Sequence, residues 1–414
     1  MTHSPHPDLM TKPRILMLGW EFPPVISGGL GVACEGLSRA LSGRVDLSFI
    51  LPQSEPALCI DHVNFVGLDQ LDRQSEKAQK LGILTETNFV PTNLHPYADS
   101  RDHSASSGPL YGSNIDAKVI DFARISAGLA DSMDFDIIHA HDWMTSLAGL
   151  EIKKRTGKPL IFHVHSLCHD RVGPASGGWI NEIEKNAIRE SDLIVTVSHY
   201  TREICIKHYG ADPGKVITIH NGVSPIDTYR SHKPFPEKLV LFLGRLTGQK
   251  GPELFLKIAA KVIKQTPNIR FAMAGTGEKL QSLMTGSIHL GIQNHFHFTG
   301  FLDRRNVHRL LSMTDVLCMP SISEPFGLCA LEAAQFGIPA VISNQSGVSE
   351  ILPRARKADP WNTSLMASHI VELTTNDEEY LHASQAAQED QKDVTWDRAA
   401  SKLVDQYQKL LRSY

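Results

Sequence analysis

The chain has 414 residues, of which 42% are hydrophobic and 21% charged, with a formal net charge of −4 at pH 7. That length points to two domains, the composition to a globular protein, and the weak acidity gives no footing to a general nucleic-acid binder. The six cysteines (Cys34, Cys59, Cys168, Cys205, Cys318, Cys329) are scattered without a Cys-x-x-Cys pair, which argues for a reducing compartment and against a disulfide framework or a thiolate zinc site.

In chain order, "MTHSPHPDLMTKPR" lacks the apolar core of a signal peptide. No later run approaches the ~18 apolar residues of a membrane span. A cytoplasmic protein without an integral membrane segment is therefore expected, with a disordered tail over residues 1–12. "RILMLGW" reads as a buried strand. A Gly/Pro loop follows, then a helix with Val32, Leu37, Ala40 and Leu41 on one face and Gly43 as its stop. "VDLSFILP", "FDIIHAHD", "KPLIFHVHS", "DLIVTVS" and "KVITIHNGV" read as further strands, and residues 53–113 as a loop-rich insertion with little pattern. After "SPIDTYRSHKPFPEK" the alternation restarts with "LVLFLG" and a helix opened by Pro252, then "NIRFAMAG", "HFHFTGF", "DVLCMPS" and "IPAVIS". Residues 396–414 read as a helix with Ala399, Leu403, Tyr407, Leu410 and Leu411 on one side. Strand–helix alternation gives parallel sheets covered on both faces. The expected architecture is α/β, with two doubly wound Rossmann-like domains: 13–225, then 226–395, then a helix 396–414 returning to the first.

Ligands of such sheets bind beyond the strands' carboxyl ends, and between two domains the natural site is the cleft. Four stretches lie there. In "GWEFPPVISGGLG" the glycines Gly28, Gly29 and Gly31 let the backbone approach a ligand ahead of a helix start, a setting for an anion. It is neither the Gly-x-Gly-x-x-Gly fingerprint nor a Walker loop. In "GRLTGQKG" the cations Arg245 and Lys250 sit at a strand-to-helix turn and suit a diphosphate, where two solvated surface charges are the plain alternative. In "SISEPFGLCALEAAQFGIPAVIS" Pro325 pre-sets the first turn, Gly327 allows close approach, Glu324 stands in the loop and Glu332 about two turns into the helix. Carboxylates there can accept paired bonds from the vicinal hydroxyls of a ribose or hexose. The alternatives are a capping role for Glu324 and a surface charge for Glu332. Finally "HAHDW" and "HVHSLCHD" bring His139, His141, Asp142, His163, His165, His169 and Asp170. His-x-His can chelate, but the follow-on of a di-metal hydrolase is missing, so hydrogen-bonding core or cleft histidines are expected and no metal. "DFD" at 134–136 reads as a turn.

Together these pieces resemble the family 4 retaining glycosyltransferases of GT-B fold and, more widely, the glycogen and starch synthases. The resemblance runs from about residue 14 to 412, with five motifs in the family's order. It implies a nucleotide-sugar donor, a UDP- or ADP-sugar, and a carbohydrate acceptor, expected to be a glucan, with no cofactor. It also implies roles. Gly28 and Gly29 would approach the donor phosphates, and Arg245 and Lys250 would neutralise the leaving diphosphate. Glu324 would hold the sugar's hydroxyls and Glu332 the ribose. The amides of Phe326, Gly327 and Leu328 would face the sugar, His165 and Asp142 would lie beside it, and Gly300 to Leu302 would lie at the nucleobase. Where ADP-glucose-using synthases carry a lysine before the glycine loop, this chain has Ile26 and then Ser27, which favours family 4 over the glycogen synthases proper. The implied reaction retains anomeric configuration. A small sugar, sugar-phosphate or lipid-linked acceptor, a metal-dependent hydrolase, and a sugar-binding protein that has lost catalysis are the competing readings.

Overall fold

The computed structural model describes residues 12–24, 28–54, 59–70, 115–173 and 177–414. Thirteen strands among these residues form two all-parallel sheets. The first takes β1 (Arg14–Leu18), β2 (Asp46–Leu51), β3 (Val63–Gly67), β4 (Ile137–His141), β5 (Leu160–Val164), β6 (Leu193–Thr196) and β7 (Val216–Thr218) in the order β3-β2-β1-β4-β5-β6-β7. The second takes β8 (Lys238–Leu243), β9 (Ile269–Ala274), β10 (Phe296–Gly300), β11 (Val316–Met319), β12 (Ala340–Ser343) and β13 (Arg356–Ala358) in the order β10-β9-β8-β11-β12-β13. Each is a doubly wound sheet whose order reverses beside its first strand, between β1 and β4 and between β8 and β11. The crevice beyond the carboxyl ends at that reversal is where such sheets take ligands.

Strand alternation divides the core. Ile15 and Met17 of β1 face one layer with Leu37 and Leu41, while Leu16 and Leu18 face the other with Phe122 and Trp143. In the second sheet Val240 and Phe242 pack with Phe255 and Val262, and Leu239 and Leu241 with Leu331 and Ile342. The last helix, Trp396–Ser413, packs Trp396, Ala399, Ala400, Leu403 and Tyr407 into the first sheet's core, with Leu410 and Leu411 against its edge. The chain thus returns to its first domain.

Several expectations need correction. The stretch 53–113 is not all loop: Val63–Gly67 adds β3 in parallel register to β2. The strand is half-exposed at a sheet edge, so it lacks the continuous apolar run of the central strands. Residues 71–114, with His95, Tyr97 and Tyr111, lie outside the described residues, as do Ile26 and Ser27. The helix Gly29–Leu41 buries Ala33, Cys34, Leu37, Ser38 and Leu41, and Val32 and Ala40 sit at its margins. Its small residues face inward because Trp396 packs there, so close that a Cβ on Gly36 would lie 2.2 Å from the indole. The helix after Pro-Phe-Gly is Leu328–Gln335. Pro325 lies ahead of it in a loop, and Glu332 is only about one turn inside.

Candidate functional site

The loop after β8 carries Arg245 and then a single 3-10 turn, Gly248–Lys250, before the helix Pro252–Gln265. Gly251 closes that turn at φ 67°, and a Cβ there would meet the carbonyl of Pro320 at 2.2 Å. The turn therefore lies directly on the loop after β11. Across this contact Lys250 Nζ donates to Glu324 Oε2 at 2.6 Å, and Ser321 Oγ donates to the same oxygen at 3.2 Å. The Glu324 side chain is only 7% exposed against 21% for Lys250, so the pair is a largely desolvated ion pair. Its backbone is fixed as well: Glu324 N donates to Gln345 O, and Gly347 N to Glu324 O.

Gly327 stands ahead of the helix Leu328–Gln335 at φ 104°. The helix's first amides have no acceptor within it, and Leu328 and Phe326 flank that opening. Glu332 is half-buried, and burial pushes its carboxyl up to about 7, with Arg304 pulling the other way. Arg304, whose charge acts on Glu332, opens the helix that follows "FTGFLD". Gly300 ends β10 at φ 70°, its carbonyl bonded by Gly275 N, and Leu302 packs on the second core. Cys329 lies among Glu324, Lys250 and Glu332, and burial first, then Glu324, raises its thiol to about 12.

In the first half, Asp142 begins a helix directly after β4 at φ 58°, an uncommon conformation for any residue but glycine that aspartate tolerates best. It is 4% exposed, and its Oδ1 accepts from His165 N at 2.6 Å and Ser166 N at 3.1 Å. Burial pushes this carboxyl up to about 7 against the pull of those amides and Arg171. Asp142 therefore fixes the loop that carries His165. Four imidazoles stack beneath it. His139 lies 4.5 Å from His141 and 5.3 Å from His163, and His163 lies 4.3 Å from His165, between centroids. His141 Nδ1 and His165 Nε2 share a hydrogen bond at 2.8 Å, and His139 bridges Tyr407 Oη and His163. Burial lowers all four, His139 and His165 to about 3, so the layer is neutral.

The two halves meet at these loops. A Cβ on Gly29 would stand 3.8 Å from Leu328 Cδ1, which brings the glycine loop to the helix start of the other half, while a Cβ on Gly28 beside it would meet none of the described residues within 4 Å. Ser323 Oγ donates to Asp170 Oδ1 at 2.6 Å, and Tyr200 Oη lies 2.9 Å from Ser323 Oγ. Ser198 Oγ donates to Pro325 O at 2.6 Å. The carboxylate of Glu350 accepts from His199 N and Tyr200 N, and from His220 Nε2 at 2.7 Å.

The structure thus joins Lys250 to Glu324 and Asp142 to the His165 backbone, with Glu332, Phe326, Gly327, Leu328, Gly28 and Gly29 around the same crevice. Arg245 lies half-buried in the loop leading to Lys250. Gly300 and Leu302 lie in the segment just ahead of Arg304, and no hydrogen bond joins either to Glu324, Lys250 or Glu332 among the described residues. Sequence reasoning gave no role to Ser323, Tyr200 or Glu350, and raised Asp170 only with the histidines. Their partners lie more than 120 residues away, and no local spacing encodes such pairs. Gly275 and Gly277 follow β9 and pack against the loop that carries Arg245. A Cβ on Gly275 would strike the Gly244 carbonyl, and one on Gly277 the Leu246 backbone. A Gly-x-Gly directly after a strand was the available signal.

Among the described residues two groups of three have ligating atoms within 4.8 Å of one another: His139, His141 and His163; and His199, His220 and Glu350. In the first the rings stack at 10–27° interplanar angles, so their lone pairs do not converge on one point. In the second, Glu350 is already engaged by two amides and an imidazole.

Comparison with known proteins gives the same picture for both halves. Residues 27–226 match the family model described as Glycosyltransferase Family 4, and residues 226–390 that of Glycosyl transferases group 1. The chain is 27% identical over 345 residues to a glycogen synthase of Mycobacterium tuberculosis, covering 81% of this chain and 79% of that one. It is also 27% identical to a D-inositol 3-phosphate glycosyltransferase of Mycobacterium avium, over 68% of this chain and 71% of that one. Sucrose-phosphate synthase from Thermosynechococcus elongatus shares the fold at a TM-score of 0.75 and 17% identity, over 97% of this chain and 100% of the other. The catalytic domain of starch synthase IV from Arabidopsis thaliana, bound to ADP and acarbose, gives 0.69 and 15%, over 97% and 100%.

Proposed function

Since the chain belongs to glycosyltransferase family 4 and has the GT-B fold, we propose that it moves a hexose, glucose, from a nucleoside-diphosphate sugar to a glucan-type acceptor, with retention and without a metal. The observation that carries this reading is the desolvated Lys250–Glu324 pair at the second sheet's reversal point, set against the Asp142–His165 loop at the first. Residues 226–395 would bind the donor and residues 13–225 the acceptor, with the helix 396–414 tying the two.

Breaking a sugar–diphosphate bond leaves negative charge on the phosphate and positive character on the ring. Lys250 and Arg245 answer the first, fixed in place before the reaction starts. Glu324 would accept from the donor sugar's hydroxyls while Lys250 holds its orientation. Glu332 would accept from the ribose, whose hydroxyls would stabilise the carboxylate form that burial disfavours. The C1–O bond to phosphate breaks as the acceptor oxygen bonds C1 on the same face, and the acceptor's proton passes to the departing phosphate oxygen. Closure through Ser323–Asp170 and Glu350 would keep water out.

The test is nucleoside diphosphate release from a panel of UDP- and ADP-sugars, with glycogen, maltoheptaose, inositol phosphate or no acceptor, and with or without EDTA. Glucan-stimulated release from one donor, indifferent to EDTA and with the α-anomer conserved by NMR, is the expected result. Stimulation by inositol phosphate alone would replace the glucan with a small acceptor, a reading that the inositol-phosphate relatives favour. EDTA-sensitive hydrolysis would overturn the metal-independent reading.

A further inference from the structure

We infer that Trp179 is the stacking platform on which a pyranose ring of the acceptor lies at the cleft rim. The inference rests on the transfer reaction proposed above and names the acceptor's seat within it. Trp179 is the first residue of the helix Trp179–Glu190, which connects β5 to β6. A helix between parallel strands runs back along the sheet, so its first residue lies at the strands' carboxyl edge, where the Asp142 loop and the domain contacts also lie.

The indole is held but not covered. It meets Trp143 at 5.4 Å between centroids with planes at 88°, and Trp143 is 1% exposed while Trp179 is 41% exposed. A perpendicular contact occupies at most one face of the ring. The approach is open too, as far as the described residues go: Gly177 and Gly178 come directly before it, and an added Cβ at either would touch none of them within 4 Å. Trp143 follows Asp142 in sequence, so the platform is tied to the loop that Asp142 fixes.

The helix is bolted to that loop. Glu184, fully buried on its inner side, accepts from Cys168 N at 2.9 Å, from Tyr209 Oη at 2.7 Å and from Arg171 at 2.9 Å. Arg171 also donates to Ser166 Oγ at 2.9 Å. A platform so anchored keeps its register with His165.

The chemistry selects a sugar. A pyranose has a face of C–H groups and a rim of hydroxyls, and an indole has an electron-rich face and one N–H donor at its edge. The donor's carboxylates and cations lie on the other half of the cleft, which leaves this face to the acceptor. A lipid surface fits less well. The helix carries Glu182, Glu184 and Glu190 against Lys185 and Arg189, with no basic excess to meet anionic headgroups.

The experiment uses the full chain with maltoheptaose as the probe. Calorimetry should show binding by the wild type, weakened at least about tenfold by Trp179→Ala and within about threefold of wild type for Trp179→Phe, which keeps an aromatic face. As a measurement that needs no variant, N-bromosuccinimide oxidation followed by peptide mass spectrometry should show maltoheptaose protecting Trp179 and leaving Trp361, 62% exposed, unprotected. Equal binding by wild type and Trp179→Ala, no binding by the wild type, or no protection of Trp179 overturns the inference. So does retention on phosphatidylglycerol vesicles that Trp179→Ala abolishes. Donor turnover by the wild type decides the transfer reading separately, since neither binding readout depends on it.

Discussion

At the scale of single residues the decisive feature is a charge pair whose buried member, Glu324, depends on its partner. Glu324 has almost no exposed side-chain surface, and Lys250 and Ser321 serve the same oxygen. Removing the ammonium leaves a buried carboxylate unpaired, which costs more than the pair contributes when intact. Lys250→Met is expected to lower stability by about 1–3 kcal/mol, the lower end reflecting the lysine's partial exposure. It should also cut turnover at least about a hundredfold. Lys250→Met combined with Glu324→Leu should regain most of the stability and none of the activity. Urea unfolding together with nucleoside diphosphate release checks both statements, and equal destabilisation by the single and double variants would refute the pairing. The residue types at this site were legible in the sequence because a strand, a short turn and a helix bring each motif to a strand's carboxyl end. The pairing itself was not, since it joins residues 74 apart.

At the scale of elements, adjacent strands β4 and β5 put His139, His141 and His163 on one face, with His165 stacked on His163 just past β5, and the last helix places Tyr407 on His139. Strand periodicity predicts that His139 and His141 share a face, as do His163 and His165. It does not predict what lies over them. The helix Trp396–Ser413 supplies that cover and an acceptor or donor for His139 Nδ1. A consequence follows for acid stability. The unfolded histidine titrates near 6.5, whereas burial lowers His139 to about 3 in the folded chain, with His165 adding to the effect. The stabilisation is therefore full above pH 6.5 and is lost progressively as pH falls toward 3. His139→Asn removes one such group. Its stability should fall less steeply between pH 6 and 4, by up to about 1.4 kcal/mol per pH unit. Unfolding free energies at several pH values measure that slope, and a slope equal to the wild type's would show that His139 charges in the folded state.

At the scale of the whole molecule, two halves meet through apolar contacts, Val197 in the second half's core and Leu328 against the first's, and through a set of directional bonds. Glu350 is the most connected of these, joining two backbone amides and His220 of the first half. Glu350→Ala should leave each core intact and loosen their docking. The expected signs are a larger radius of gyration by small-angle scattering and a donor KM raised severalfold with kcat less affected. An unchanged radius and KM would show that the remaining contacts suffice. The amino-acid sequence by itself determined the strand–helix alternation, hence two parallel doubly wound sheets, because apolar period and turn residues are local properties. It likewise determined which loops carry the glycines, cations and carboxylates. Only the tertiary structure decided that Asp170 reaches Ser323, that Glu350 caps a helix of the other half, that Trp179 is left open beside a buried Trp143, and that β3 completes the first sheet. Each of these depends on where distant segments meet, and the free energy of such meetings lies in packing and desolvation that no short window of sequence contains.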